Sequence, residues 1–280
     1  MATGGSAMNT TTTRAQVWLF LSFGAAALAF VGSLLALIDS NVYYYDLSSS
    51  FSFQARAQDL VNAVVVAPLL VACAVLALRG SERAFVIWLG VLTFTVYNYV
   101  IYALFIPFGS LYLLWTAVLG LSLYSLIGGV TSVDSGQAAV MFPSRRALTV
   151  SGIVLVVVSG LFAVLWLAED LPAVINNYTP QSVYDLKVPT NPVHVLDYAF
   201  FLPAGVILGV MQLRRRAFSY PVGGAFLVFL LLTGLPILVT PFVTSSLGSE
   251  GQYWILLPIG ILTAVLAGMI VWLLRSVREV

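Results

Sequence analysis

The chain holds a single histidine, in the stretch NPVHVLDYAFFLP from Asn191 to Pro203. His194 and Asp197 are three residues apart, so on a helix they share a face and can approach one another. An imidazole and a carboxylate so placed can take up and release a proton near neutral pH. Proton-coupled transport and pH sensing both need such a pair. The competing reading is two solvated groups at a helix start, where the helix dipole already favours an aspartate.

A similar arrangement occurs 135 residues earlier, where Asp59 aligns with His194 and Asn62 with Asp197. The same shift brings Pro68 onto Pro203, Arg79 onto Arg214 and Asn98 onto Thr233. A duplication is expected, with helices one to four matching helices five to eight. Four is an even number, so the halves keep one orientation and an axis along the membrane normal relates them. Asp59 is expected at the membrane interface, and Asn62 is expected to make an interhelical hydrogen bond.

Depth along a helix follows from its rise per residue. Asn62 is 17 residues from Arg79, about 25 Å. Asn98 is 15 residues from Arg83, about 22 Å. The two therefore share a level, and Tyr102 lies on the same helical face as Asn98. Asp197 and Thr233 provide the matching level in the second half. A ligand-binding or proton-coupling site is expected there, open to the outside. Pro68 and Pro203 are expected to kink their helices and to free the carbonyls of Val64 and Ala199. These kinks either outline a cavity or are simple bends.

The elements that must position these residues are membrane helices. The composition is 60% hydrophobic and 8% charged, against about 25% charged in soluble domains. Eight runs approach the roughly 20 apolar residues a span needs. They cover 17–38, 60–78, 84–108, 111–130, 148–168, 195–213, 219–242 and 253–274. The fold expected is an all-α integral membrane protein with eight transmembrane helices. Its organisation is a disordered N-terminus (1–16), a four-helix repeat (17–130), a linker (131–147) and a second repeat (148–280).

Ten basic residues fall on one side of this arrangement and two, Arg56 and Lys187, on the other. The excess of positive charge places both termini in the cytoplasm, with the chain in the plasma (inner) membrane. Two long loops, beginning at Asp39 and Glu169, then lie outside. Small-residue stripes at Ala25, Ala29 and Ser33 and at Gly260, Ala264 and Gly268 mark close helix packing.

The stretches DLVNAVVVAPLL, from Asp59, and VHVLDYAFFLPAGVILGVMQLRRRAFSYPVGG, from Val193, resemble a group of uncharacterised prokaryotic multipass membrane proteins. The resemblance implies the membrane class. That group has no established activity, so no functional residue is carried over.

Several functions lack their residues. There is no Walker A loop, no G-x-G-x-x-G and no H-E-x-x-H. One cysteine, Cys73, allows no intramolecular disulfide and no thiolate metal site. No metal, cofactor or nucleic acid is expected, and nothing defines a catalytic residue. The expected partners are the lipid bilayer, a small-molecule ligand, and copies of the chain or a membrane complex. The best reading is a small secondary transporter or membrane binding protein. The alternatives are an intramembrane enzyme acting on a lipid or isoprenoid, and a structural subunit.

Overall fold

A computed structural model describes residues 14–278. The expectation for residues 1–13 lies outside them. Apolar runs become helices because hydrocarbon offers no partner to a free N–H or C=O. Eight helices are long and apolar enough to cross a membrane. They are α1 (Gln16–Ile38), α2 (Ser49–Leu78), α3 (Glu82–Phe105) and α4 (Tyr112–Thr131), then α5 (Arg145–Asn176), α6 (Pro192–Leu213), α7 (Ser219–Ser246) and α8 (Tyr253–Arg275). Among the described residues there is no strand. The chain is an all-α polytopic membrane protein.

Three helices run well beyond their apolar cores. α2 begins at Ser49 rather than Leu60, because the Ser48 side chain accepts the Phe51 N–H and caps the helix. α6 begins at Pro192, where Asn191 accepts the N–H groups of Val193 and His194. α5 continues past Glu169 and Asp170 to Asn176, and Asn177 ends it in the left-handed region at φ 55°. The long loops are therefore shorter than expected. Residues 39–48 form two 3-10 turns, and a short helix, Gln181–Leu186, lies between α5 and α6. Hydropathy detects the apolar middle of a helix, whereas side-chain caps decide its ends.

α2 and α6, which carry Pro68 and Pro203, each contain a π turn. In α2 it spans Asn62–Val66, and Ala67 donates to the Asn62 carbonyl five residues back. In α6 it spans Asp197–Phe201, and Leu202 donates to the Asp197 carbonyl. Pro68 and Pro203 follow immediately. Proline supplies no N–H and crowds the carbonyl four residues earlier. The wider turn absorbs the misfit, and such turns recur at functional positions. Each one opens on a polar residue.

α1 packs along α4 and against α2, and α5 packs along α6. α3 and α7 cross at the centre, where a Cβ on Gly90 would lie 2.5 Å from the Ala225 carbonyl oxygen. Only glycine permits that approach. The main core collects here, around Trp88, Phe94 and Phe229. A second core gathers Tyr43, Tyr44, Tyr99, Tyr102 and Trp115 in the first half. The second half is less closed, because the buried residues of α8 (Leu266, Met269, Ile270 and Leu273) all lie towards its arginine end.

The two small-residue stripes differ. Ala25, Ala29 and Ser33 are buried within the bundle. Gly260 and Gly268 have open space where a Cβ would be, so the chain does not pack on them.

Candidate functional site

Asp59 is 1% exposed and sits at the centre of a hydroxyl cage. Ser33 donates to its Oδ1 at 2.7 Å and Tyr102 at 3.1 Å. Tyr44 donates to Oδ2 at 2.7 Å, and the Tyr43 hydroxyl donates to the same oxygen. The interfacial placement expected for Asp59 is therefore corrected. The loop after α1 folds back and carries Tyr43 and Tyr44 inside, covering the carboxylate. Burial, and next the Asp59 charge, push both phenol groups above their ordinary pKa, so they remain donors. The YYY run in that loop was the available sign, since three aromatic residues in succession are unusual company for an exposed turn.

Asn62 is also corrected. Its Oδ1 accepts from Gln58 on its own helix at 3.0 Å, not from another helix, and its Nδ2 has no partner.

The second half is arranged differently. His194 and Asp197 are not paired with each other. Nδ1 of His194 lies 2.9 Å from Oδ2 of Asp170 at the end of α5, and the Tyr198 hydroxyl donates to the same oxygen. An ionised carboxylate only accepts, so Nδ1 is the donor in this contact and Nε2 points elsewhere than Asp170. Asp197 accepts from the Trp166 indole N–H at 2.8 Å. The Trp166 ring also stacks on His194, with centroids 4.4 Å apart. Trp166 is the side chain that joins the two.

His194, Asp197 and Trp166 line a cavity of about 660 Å³. Small-molecule sites commonly measure ~300–1,000 Å³. The cavity extends from loop residues such as Glu250 and Asn191 down to Phe226 and Leu266, and helices of both halves contribute to it. His194, Asp197, Asn98, Tyr102 and Thr233 all belong to its wall, whereas Asp59, Asn62, Pro68 and Pro203 do not. Tyr102 thus stands between the Asp59 cage and the cavity. The Thr233 hydroxyl is held by the Phe229 carbonyl at 2.9 Å. Asn98 is 4% exposed and its Nδ2 has no partner. Five buried side-chain polar atoms lack partners among the described residues, and only that of Asn98 belongs to this wall.

Among the described residues no group of three or more His, Cys, Asp or Glu side chains is placed to hold a metal ion. Comparison with known proteins gives no match: no family model fits the chain, and no curated protein or solved structure aligns with it.

Proposed function

We propose that the chain is a small-molecule binding protein of the membrane, working as a small secondary transporter or a membrane receptor for its ligand. The cavity is its site, and the end carrying the long loops faces outward from the plasma membrane. The observation that carries this reading is the Asn98 amide, buried without a partner in the wall of a ligand-sized cavity. A buried polar group left unmade costs about 1–3 kcal/mol, and a bound molecule recovers it. His194, Asp197, Tyr102 and Thr233 complete the polar wall.

The reading includes two four-helix repeats, 17–130 and 148–280, related by a pseudo-two-fold axis along the membrane normal. Its support is the pair of π turns 135 residues apart and the contact of Gly90 with Ala225, also 135 apart. Equivalent positions meet on such an axis.

The test uses Thr233→Cys in a Cys73→Ser background. A membrane-impermeant thiol reagent applied from outside should label it, and a bound ligand should protect it. Absence of labelling in folded protein would remove the outward cavity.

A second reading, an intramembrane enzyme acting on a lipid or isoprenoid, draws on the Asp170–His194 bond, which orients the ring with Nε2 as a base. Turnover of vesicle lipid by the wild type and not by His194→Gln would decide for it. A role as a subunit draws on the unpacked Gly260–Gly268 face of α8. Association through that face would be lost on Gly268→Leu.

A further inference from the structure

The cavity's wall has an uneven chemistry. It includes the carboxylates of Glu169, Asp185, Asp197 and Glu250, and no lysine or arginine. Arg56 and Lys187, the two basic residues of the long-loop end, are not part of it; the Arg56 guanidinium lies over the Tyr44 ring at 4.1 Å. Aromatic rings continue the wall inward from the carboxylates, including Trp166, Phe162, Phe201, Tyr97 and Phe229. Ring faces carry negative potential and attract cations, more strongly where water is excluded.

Asp59 and Asp197 differ in how much of their accepting capacity is used. A carboxylate offers about four lone-pair positions. Four hydroxyls surround Asp59, two on each oxygen. Among the described residues Asp197 accepts a hydrogen bond from the Trp166 indole only. It faces the cavity with accepting capacity left over. In the same wall the unpartnered Asn98 amide offers a donor or, turned over, an acceptor.

We propose that this cavity selects a lipophilic organic cation, an aromatic or alkyl ammonium or phosphonium compound, with Asp197 as its counter-charge and Asn98 as a polar anchor. The proposal rests on the small-molecule binding reading above and names the ligand class for that site. The mouth carboxylates Glu250 and Asp185 concentrate cations at the entrance. The rings replace the water that the ligand sheds, and Asp197 holds the charge within the membrane.

The experiment measures binding of three probes of similar shape to purified full-length protein by calorimetry. They are tetraphenylphosphonium, tetraphenylborate and neutral triphenylphosphine oxide. Tetraphenylphosphonium should bind at least ~tenfold more tightly than tetraphenylborate, as complementary charge in a dry site requires. Asp197→Asn keeps an acceptor for Trp166 and should weaken the cation at least ~tenfold while leaving the neutral probe unchanged. Glu250→Gln at the exposed mouth is a second variant that does not depend on the buried site for folding. It should reduce the cation's association rate and leave the neutral probe's unchanged. Equal binding of all three probes, or preference for the borate, overturns cation selection and leaves the binding cavity standing. Binding of none overturns both.

Discussion

The indole N–H of Trp166 on α5 holds Asp197 at the first residue of the α6 π turn, 2.8 Å away, while the same ring stacks on His194. One side chain therefore fixes the carboxylate and the imidazole at separate positions. The two lie three residues apart in sequence and have different partners. Asp197 faces the cavity with acceptor positions to spare, and His194 is turned towards Asp170.

Trp166→Phe keeps an aromatic ring against His194 and removes the donor. A hydrogen bond to a charged group contributes about 1.5–3 kcal/mol, so the unfolding free energy in detergent should fall by that amount. Ligand-dependent quenching of tryptophan fluorescence should largely disappear. Full quenching in the variant would separate Trp166 from the site.

Tyr44→Phe removes one of four donors to the sealed Asp59 and should cost about 1–3 kcal/mol by the same measurement. Probe affinity should stay unchanged, because Asp59 is not part of the cavity wall. A loss of binding without a loss of stability would show that the cage belongs to the site.

A side chain at Gly209 would place its Cβ 2.6 Å from the Gly152 carbonyl oxygen across the α5–α6 contact. Gly209→Val should destabilise by about 1–3 kcal/mol, the usual cost of overpacking. Gly268→Val meets nothing within 4 Å in the chain and should leave the monomer's unfolding midpoint in place. Comparing the two midpoints checks both assignments.

Pro203→Ala restores the missing N–H and allows α6 to close an ordinary α-helical register. Asp197 then rotates out of its place, and cation affinity should fall by roughly tenfold while the fold persists. Pro68→Ala makes the same change beside the sealed half and should leave affinity unaltered. Equal effects from both would tie the two π turns together functionally.

The Asp134 carboxylate accepts the Gln137 backbone N–H at 2.8 Å, capping the short helix Ser135–Met141, and receives Arg14 at 3.1 Å. These contacts, the backbone bond first, hold its pKa below the ordinary carboxylate value. Its contribution is therefore present above the ordinary value and lost as pH falls through the lowered one. The protection of the Gln137 amide, relative to its intrinsic exchange rate, should fall at acid pH, and Asp134→Ala should show the low protection at every pH.

Much of the architecture is readable from residue order alone. Eight apolar runs, a ten-to-two arginine and lysine asymmetry, and prolines 135 residues apart are properties of the chain as written, because lipid forces any long apolar segment into a helix. Asn62, Asn98, Asp197 and Thr233 can be assigned to one level by counting residues from the arginines, since helical rise is constant. Helix ends were less legible, because Ser48 and Asn191 act through single side-chain bonds that hydropathy does not register. What only the tertiary structure decided is which polar groups are used up and which remain open. Asp59 and Asp197 are both acids at or just before a π turn, with a proline beyond it on the same helix. The difference arises because the loop after α1 folds Tyr43 and Tyr44 onto Asp59, whereas the buried residues of α8 all lie towards its arginine end and a cavity remains beside Asp197. Such outcomes depend on contacts between residues far apart in sequence, and no local pattern of residue types encodes whether a distant hydroxyl arrives.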